Sequence, residues 1–336
     1  MWFLLRHLPL WATVVGLALP GCSSMQPAAV PASLSPPLSV PSTVSSPKHP
    51  SSAAWPRYTL HAAEAWQLTP PGGGRFDASA LLELPEGDLL TLSDRGATIY
   101  RIVFRPGTNA ADLVVVPDCF TTAQLAPFAA EKFERYDCEG IGRDEAGRLY
   151  VCEEANRWVL RWDPRTKNVE RLNIDWSPVR RFFSTDRNAS FEGVAAGGGK
   201  LYVANERSVG RIIVVDLSSL RVVDDFTVSR AGSSARDVHY TDLCLFEGSL
   251  YALLRESGVV LRIDPATHKV LTEYDYNELE HSPEYDYRRI YPTGTMEGLA
   301  VDRDFIWLAT DNNGQGRVRY PRDIRPTLFK CPRPDK

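Results

Sequence analysis

Five short segments of this chain set an acidic residue at the start of an apolar run: Phe76-Asp77-Ala78-Ser79, Cys138-Glu139-Gly140-Ile141, Phe191-Glu192-Gly193-Val194, Tyr240-Thr241-Asp242-Leu243 and Met296-Glu297-Gly298-Leu299. A second acid closes the apolar run that follows each: Asp94, Glu153 with Glu154, Glu206, Glu256 and Asp311. From Glu192 to Glu206, Asp242 to Glu256 and Glu297 to Asp311 the separation is 14 residues, a register rather than a scatter. Carboxylates gathered at repeated positions repel one another at low dielectric, and a cation or a buried partner must offset that cost. A hard, oxygen-binding cation suits them. Ca²⁺ takes about six to eight oxygens from carboxylates, amides and water. The metal set expected from the sequence is Glu139, Glu192, Asp242, Glu297, Asp94, Glu206, Glu256 and Asp311, with Asn205, Asn312 and Asn313 beside them as further donors.

Arg95, Arg207 and Arg255 adjoin Asp94, Glu206 and Glu256. With a metal, such arginines clamp an anionic substrate such as a phosphate ester. The plainer alternative is that each pairs with acids of its own or the neighbouring repeat. His239, three residues before Asp242, is a candidate acid or base, or else a loop residue. The catalytic candidates are therefore Arg95, Arg207 and His239. No G-x-S-x-G elbow, P-loop, G-x-G-x-x-G or H-E-x-x-H occurs, which removes the common nucleophile, nucleotide and zinc-protease classes.

The elements that must position these acids are short strands. After each opening comes a turn and a second apolar run: Leu89-Leu90-Thr91-Leu92, Leu149-Tyr150-Val151-Cys152, Leu201-Tyr202-Val203-Ala204, Leu250-Tyr251-Ala252-Leu253 and Ile306-Trp307-Leu308-Ala309. Third strands are expected at 99–104, 158–162, 211–215 and 259–263, and outer strands such as 222–228 and 270–274. The acidic openings at 77, 139, 192, 242 and 297 recur every 50 to 62 residues. Four antiparallel strands at such a period make a propeller blade. The expected fold is an all-β propeller of five blades, a sixth remaining open. The segment 58–68 is expected to complete the last blade, whose third strand is weak near 316–320 with a further run at 328–331. Residues 120–136 read as a short helix, since Leu125, Phe128, Ala129 and Phe133 share a face. The Tyr- and acid-rich insertion 274–291 is either a lid over the channel or a surface loop.

The N-terminus carries Arg6, His7, an apolar stretch from Leu8 to Leu19 and Leu19-Pro20-Gly21-Cys22. This ending resembles a bacterial lipobox, which implies removal of residues 1–21 and lipidation of Cys22. Ser, Pro and Ala dominate residues 22–56, which are expected to form a flexible tether, leaving 57–336 as the propeller domain. The expected location is the cell envelope, on the periplasmic face of the outer membrane, with the membrane met through the lipid alone. Without Arg6 the mature charge is 37 minus 42, or −5. This does not favour nucleic acid. A monomer is expected. Cys119, Cys138, Cys152, Cys244 and Cys331 allow one or two disulfides in an oxidising compartment, with one thiol left over. Cys152 and Cys244 read as small core residues.

Ser93-Asp94-Arg95-Gly96, together with the Glu-Gly openings at Glu139, Glu192 and Glu297, resembles the phytase-like family, the esterase-like domain of phytase. The resemblance spans roughly residues 57–330. It implies an exported propeller that binds Ca²⁺ and hydrolyses phosphate or carboxylic esters. The chain departs from the family at the first opening, Phe76-Asp77-Ala78-Ser79, where the family carries Gly-Gly-x-Ser, and at the fourth, which lacks the Glu-Gly pair. Two readings follow: a metal-dependent hydrolase of a small anionic ester, or a non-enzymatic envelope propeller that binds a ligand or partner.

Overall fold

The computed structural model describes residues 55–129, 131, 135–207, 210–233, 238–287 and 294–336. The signal segment 1–21, Cys22 and all of the tether but Trp55 and Pro56 lie outside the described residues. Among the described residues no helix is long and apolar enough to cross a membrane.

The chain begins with β1 (Arg57–Thr59) and β2 (Glu64–Thr69), then runs through repeats of antiparallel strands. The first holds β3 (Ala78–Glu83), β4 (Leu89–Ser93), β5 (Tyr100–Phe104) and β6 (Ala110–Val115). The second holds β7 (Cys138–Arg143), β8 (Leu149–Glu153), β9 (Trp158–Trp162) and β10 (Val169–Arg171). The third holds β11 (Phe191–Gly197), β12 (Lys200–Asn205), β13 (Arg211–Asp216) and β14 (Arg221–Phe226), and the fourth β15 (Tyr240–Phe246), β16 (Ser249–Leu254), β17 (Val259–Asp264) and β18 (Lys269–Asp275). The last holds β19 (Met296–Val301), β20 (Phe305–Thr310) and β21 (Thr327–Pro332). The fold is all-β and propeller-like; among the described residues the α-helices are two and short, α1 (Thr122–Leu125) and α2 (Asn277–Glu280).

β21 pairs on its far side with β2, and β2 pairs in parallel with β6, so the sheets of the last and first repeats join into eight strands in the order β19-β20-β21-β2-β6-β5-β4-β3. β1 adds in parallel to β18. The first strand of each repeat packs against its counterpart in the next, β3 on β7, β7 on β11, β11 on β15, β15 on β19 and β19 on β3.

Alternation explains the apolar runs. On β12, Tyr202 and Ala204 pack toward Leu243, Ala252 and Leu261 of the fourth sheet, while Leu201 and Val203 pack toward Tyr150, Cys152 and Val159 of the second. A sheet sandwiched on both faces needs apolar residues at successive positions.

Three expectations change in detail. Pro127 cannot donate a helical hydrogen bond and its ring clashes one turn back, so the reading over 120–136 shrinks to α1 and a 3₁₀ turn, Ala126–Phe128; Phe133 lies outside the described residues. In the last repeat the third strand is β21; the 316–320 stretch is instead a loop, where Arg317 pairs with Asp323 at 2.9 Å. The described part of the 274–291 insertion packs down: Tyr276 is buried, Tyr285 meets Phe329 edge-on at 4.9 Å, and the Tyr287 hydroxyl donates to the Arg325 carbonyl at 2.7 Å. Residues 288–291 lie outside the described residues. Among the described residues every cysteine is a free thiol, Cys152 fully buried and Cys244 half-buried.

Candidate metal centre

Every innermost strand carries a register shift near its start, between Ala78 and Ala80, Cys138 and Gly140, Phe191 and Gly193, Tyr240 and Asp242, and Met296 and Gly298. Such a bulge inserts one extra residue and re-aims its side chain. The extra residues are Ser79, Glu139, Glu192, Thr241 and Glu297. Across the hairpin, the residues just past the register partners Ser93, Glu153, Asn205, Leu254 and Thr310 are Asp94, Glu154, Glu206, Arg255 and Asp311. Two structural rings result, one with three carboxylates and two hydroxyls, the other with four carboxylates and one guanidinium.

The Glu-Gly pairs follow from this geometry. A Cβ on Gly140 would lie 2.7 Å from the Val194 nitrogen, and one on Gly193 would lie 2.8 Å from the Asp242 Cα. Glycine lets adjacent inner strands approach, while the preceding residue, Glu139 or Glu192, joins an acidic group. In the fourth repeat Asp242 takes the glycine position. Its Oδ2 accepts from the amides of Leu81 (3.3 Å) and Leu299 (2.8 Å), and its Oδ1 from Leu243 (2.8 Å), tying β3, β15 and β19 together.

The structure brings together Glu154, Glu192 and Glu206, all buried, with one oxygen of each within 4.8 Å of the others; Asp137, Glu139 and Glu154 form an adjoining group on the same criterion. Glu139, Glu192 and Glu206 belong to the expected metal set, and Asp137 and Glu154 do not. Asp137 precedes the second opening by a single residue, an Asp-x-Glu spacing that could have flagged it. The Glu153-Glu154 doublet was visible, but only register separates its members. Glu153 turns to the loop, accepting from the Asn156 amide at 2.8 Å, and Glu154 enters the centre.

The remaining expected ligands lie around this core. Asp94 faces Arg135 at 3.9 Å. Asp311 accepts from the Asn313 amide at 2.7 Å. Glu297 is paired with Arg255. Glu256 is exposed and bonded to His239 Nδ1 at 3.1 Å. Asp242 stands apart, on its three amides. Of the amide side chains, Asn312 donates to the Ile324 carbonyl at 2.9 Å and Asn205 to the Arg207 carbonyl at 3.5 Å.

The carboxyls of the centre crowd one another. Burial, followed by repulsion from Glu206 and Asp137, lifts Glu154 to about 8. Burial and Asp77 lift Asp311 to about 8, and burial with Asp77 and Asp137 lifts Asp94 to about 6. Glu139 and Glu192 rise well above the carboxylate range, burial leading and Glu154 or Glu206 adding to it. The donor set fits a hard cation: it offers oxygens only, several buried, and Glu206 Oε2 is buried with no hydrogen-bond partner.

The candidate catalytic residues sit at the edge of this group. Arg207 donates to Glu206 at 2.7 Å, and Arg95 lies 3.8 Å from Asp77, which Arg75 also holds at 2.5 Å. His239 is buried; its Nε2 meets Glu206, and Arg255 Nη2 lies 2.8 Å from that nitrogen. Arg255 is a ring residue whose place the sequence concealed, because alignment on Asp242 put Glu256 there.

The fold has solved counterparts. Glutaminyl cyclase of Myxococcus xanthus matches at TM-score 0.54 and 16% identity over 83% of this chain and 97% of its own. Virginiamycin B lyase of Staphylococcus aureus matches at TM-score 0.40 and 13% identity, over 76% and 66%. At 16% identity the likeness to the glutaminyl cyclase is one of fold. A search of curated proteins finds no match. The family model "Phytase-like: Esterase-like activity of phytase" matches residues 74–314, more than half of the sequence and all of the acidic repeats. The chain belongs to the phytase-like family.

Proposed function

We propose that this protein is a metal-dependent hydrolase of phosphate or carboxylic esters, built as a five-bladed propeller with β2 completing the fifth blade. The observation that carries the reading is the buried Glu154, Glu192 and Glu206 trio, with Glu206 Oε2 unpartnered. These residues, with Asp137 and Glu139, would hold a Ca²⁺-like cation. When bound, such a cation polarises the ester and acidifies nearby water. Arg95 and Arg207, both partly exposed at the edge of the centre, steady the substrate anion. His239, fixed by Glu256, holds Glu206 in place.

Calorimetric titration of the chelator-treated protein with Ca²⁺ tests the site, and turnover of a panel of phosphate and acyl esters tests the activity. Glu192→Gln is expected to abolish the Ca²⁺ heat; unchanged affinity rejects that ligand. Absence of both metal binding and turnover sinks the enzyme reading.

The pairing of Arg95 with Asp77 and of Arg207 with Glu206 favours a second reading, a non-enzymatic envelope propeller whose acidic centre is structural. Ca²⁺ binding without turnover of any ester selects it. In either case we propose a monomer anchored through lipid on Cys22 at the periplasmic face of the outer membrane. The lipobox-like ending carries this, and Cys22→Ser is expected to release the protein from the membrane fraction.

A further inference from the structure

The acids lie at the starts of the innermost strands; the ends of the same strands enclose a different cavity. It measures about 260 Å³ and is lined by Leu82, Leu84, Ile141, Leu245, Phe246 and the carboxyl-bearing Glu83. Leu82, Leu84, Leu245 and Phe246 remain half-buried, so the cavity opens outward. An engineered cavity of roughly 150 Å³ suffices for benzene, so the space takes a ring and a short chain.

Glu83 is its polar feature. Among the described residues the carboxyl has no hydrogen-bond donor or cationic partner, and the charge it feels is another acid, Asp302. Burial and then Asp302 raise it to about 7. Glu83 of β3 and Cys244 of β15 both line the cavity. Arg143 also lines the cavity, but its guanidinium lies over the Gly147 turn, with Nη2 3.4 Å from where a Cβ would stand on that glycine. An apolar wall with a single unpaired carboxyl selects a ligand carrying one cationic or donor group on an apolar body. Phe246, whose ring already carries the Arg333 guanidinium at 5.4 Å, adds apolar wall.

We propose that this cavity is a binding site for a small amphipathic amine, its ammonium on Glu83 and its apolar body against Leu82, Leu84, Ile141, Leu245 and Phe246. The site is independent of the acidic centre at the other end of the strands.

Calorimetric titration of the full-length protein with phenethylammonium tests it, with 2-phenylethanol and phenylacetate as neutral and anionic isosteres. Saturable binding of the amine is expected, weakened about tenfold or more by Glu83→Gln, as loss of a charge-assisted hydrogen bond requires. Leu245→Trp, which fills the space without touching the carboxyl, is expected to abolish it, and Glu206→Gln to leave it unchanged. No saturable binding, equal affinity for phenylacetate, or an unaltered affinity in Glu83→Gln overturns the proposal.

Discussion

Arg255 Nη2 lies 3.6 Å from Glu206 Oε1, and this arginine occupies in the fourth repeat the position that holds a carboxylate in the other four. It also pairs with Glu297 and contacts His239. One guanidinium thus serves acids from two other repeats. Removing it leaves buried charge uncompensated. Arg255→Met is expected to lower stability by about 3 kcal/mol, with added Ca²⁺ restoring more of the loss than it adds to the parent. Denaturant unfolding with and without Ca²⁺ reads both.

Asp94, Glu154 and Asp311 have folded-state pKa values of about 6, 8 and 8, above the ordinary carboxyl range near 4. Between these limits the folded chain keeps protons that the unfolded chain has released, so stability falls as pH rises. The metal-free protein is expected to melt at progressively lower temperature from about pH 4 to pH 8, and Ca²⁺ to flatten that slope. Melting curves across this range check the sign. A rise with pH in the metal-free protein contradicts the burial described.

Asp242 separates a structural acid from a ligand. An amide there turns an N–H toward backbone N–H groups, so Asp242→Asn is expected to cost about 1 to 3 kcal/mol, as for buried donors left without an acceptor. Its Ca²⁺ affinity is expected to match the parent's. Paired unfolding and titration measurements distinguish this from a ligand role, which would lower affinity.

Gly193→Ala forces a methyl to 2.8 Å from the Asp242 backbone, and backbone cannot swing aside. Overpacking between β11 and β15 is expected to cost about 1 to 3 kcal/mol. Equilibrium unfolding measures it, and no loss would mean that the inner strands separate freely.

The repeats were legible because the apolar runs are buried on both faces and the turns between them are short. The 14-residue spacing from Glu192 to Glu206 and from Glu297 to Asp311 marks residues that do share a register. The same spacing from Asp242 to Glu256 misleads by one position, because a bulge moves the ring to Thr241 and Arg255. A one-residue slip reverses which face a side chain takes, and neither residue type discloses it. Asp77 is misaligned by two positions, Ser79 being the bulged residue. Asp137 is marked by its Asp-x-Glu spacing to Glu139, but it precedes its strand, where only the fold sets its direction.

The pairing of β2 with β21 joins residues some 260 positions apart, Glu64 facing Lys330 and Gln67 facing Thr327. In time rather than space, an early-made strand must wait for one made some 260 residues later. Until Thr327–Pro332 has emerged, the edges of β2 and β20 stand open to other chains, and loops of such length close slowly. A lesion in β21 therefore acts on the whole assembly, and its first symptom is expected to be aggregation of newly made protein rather than loss of a local contact.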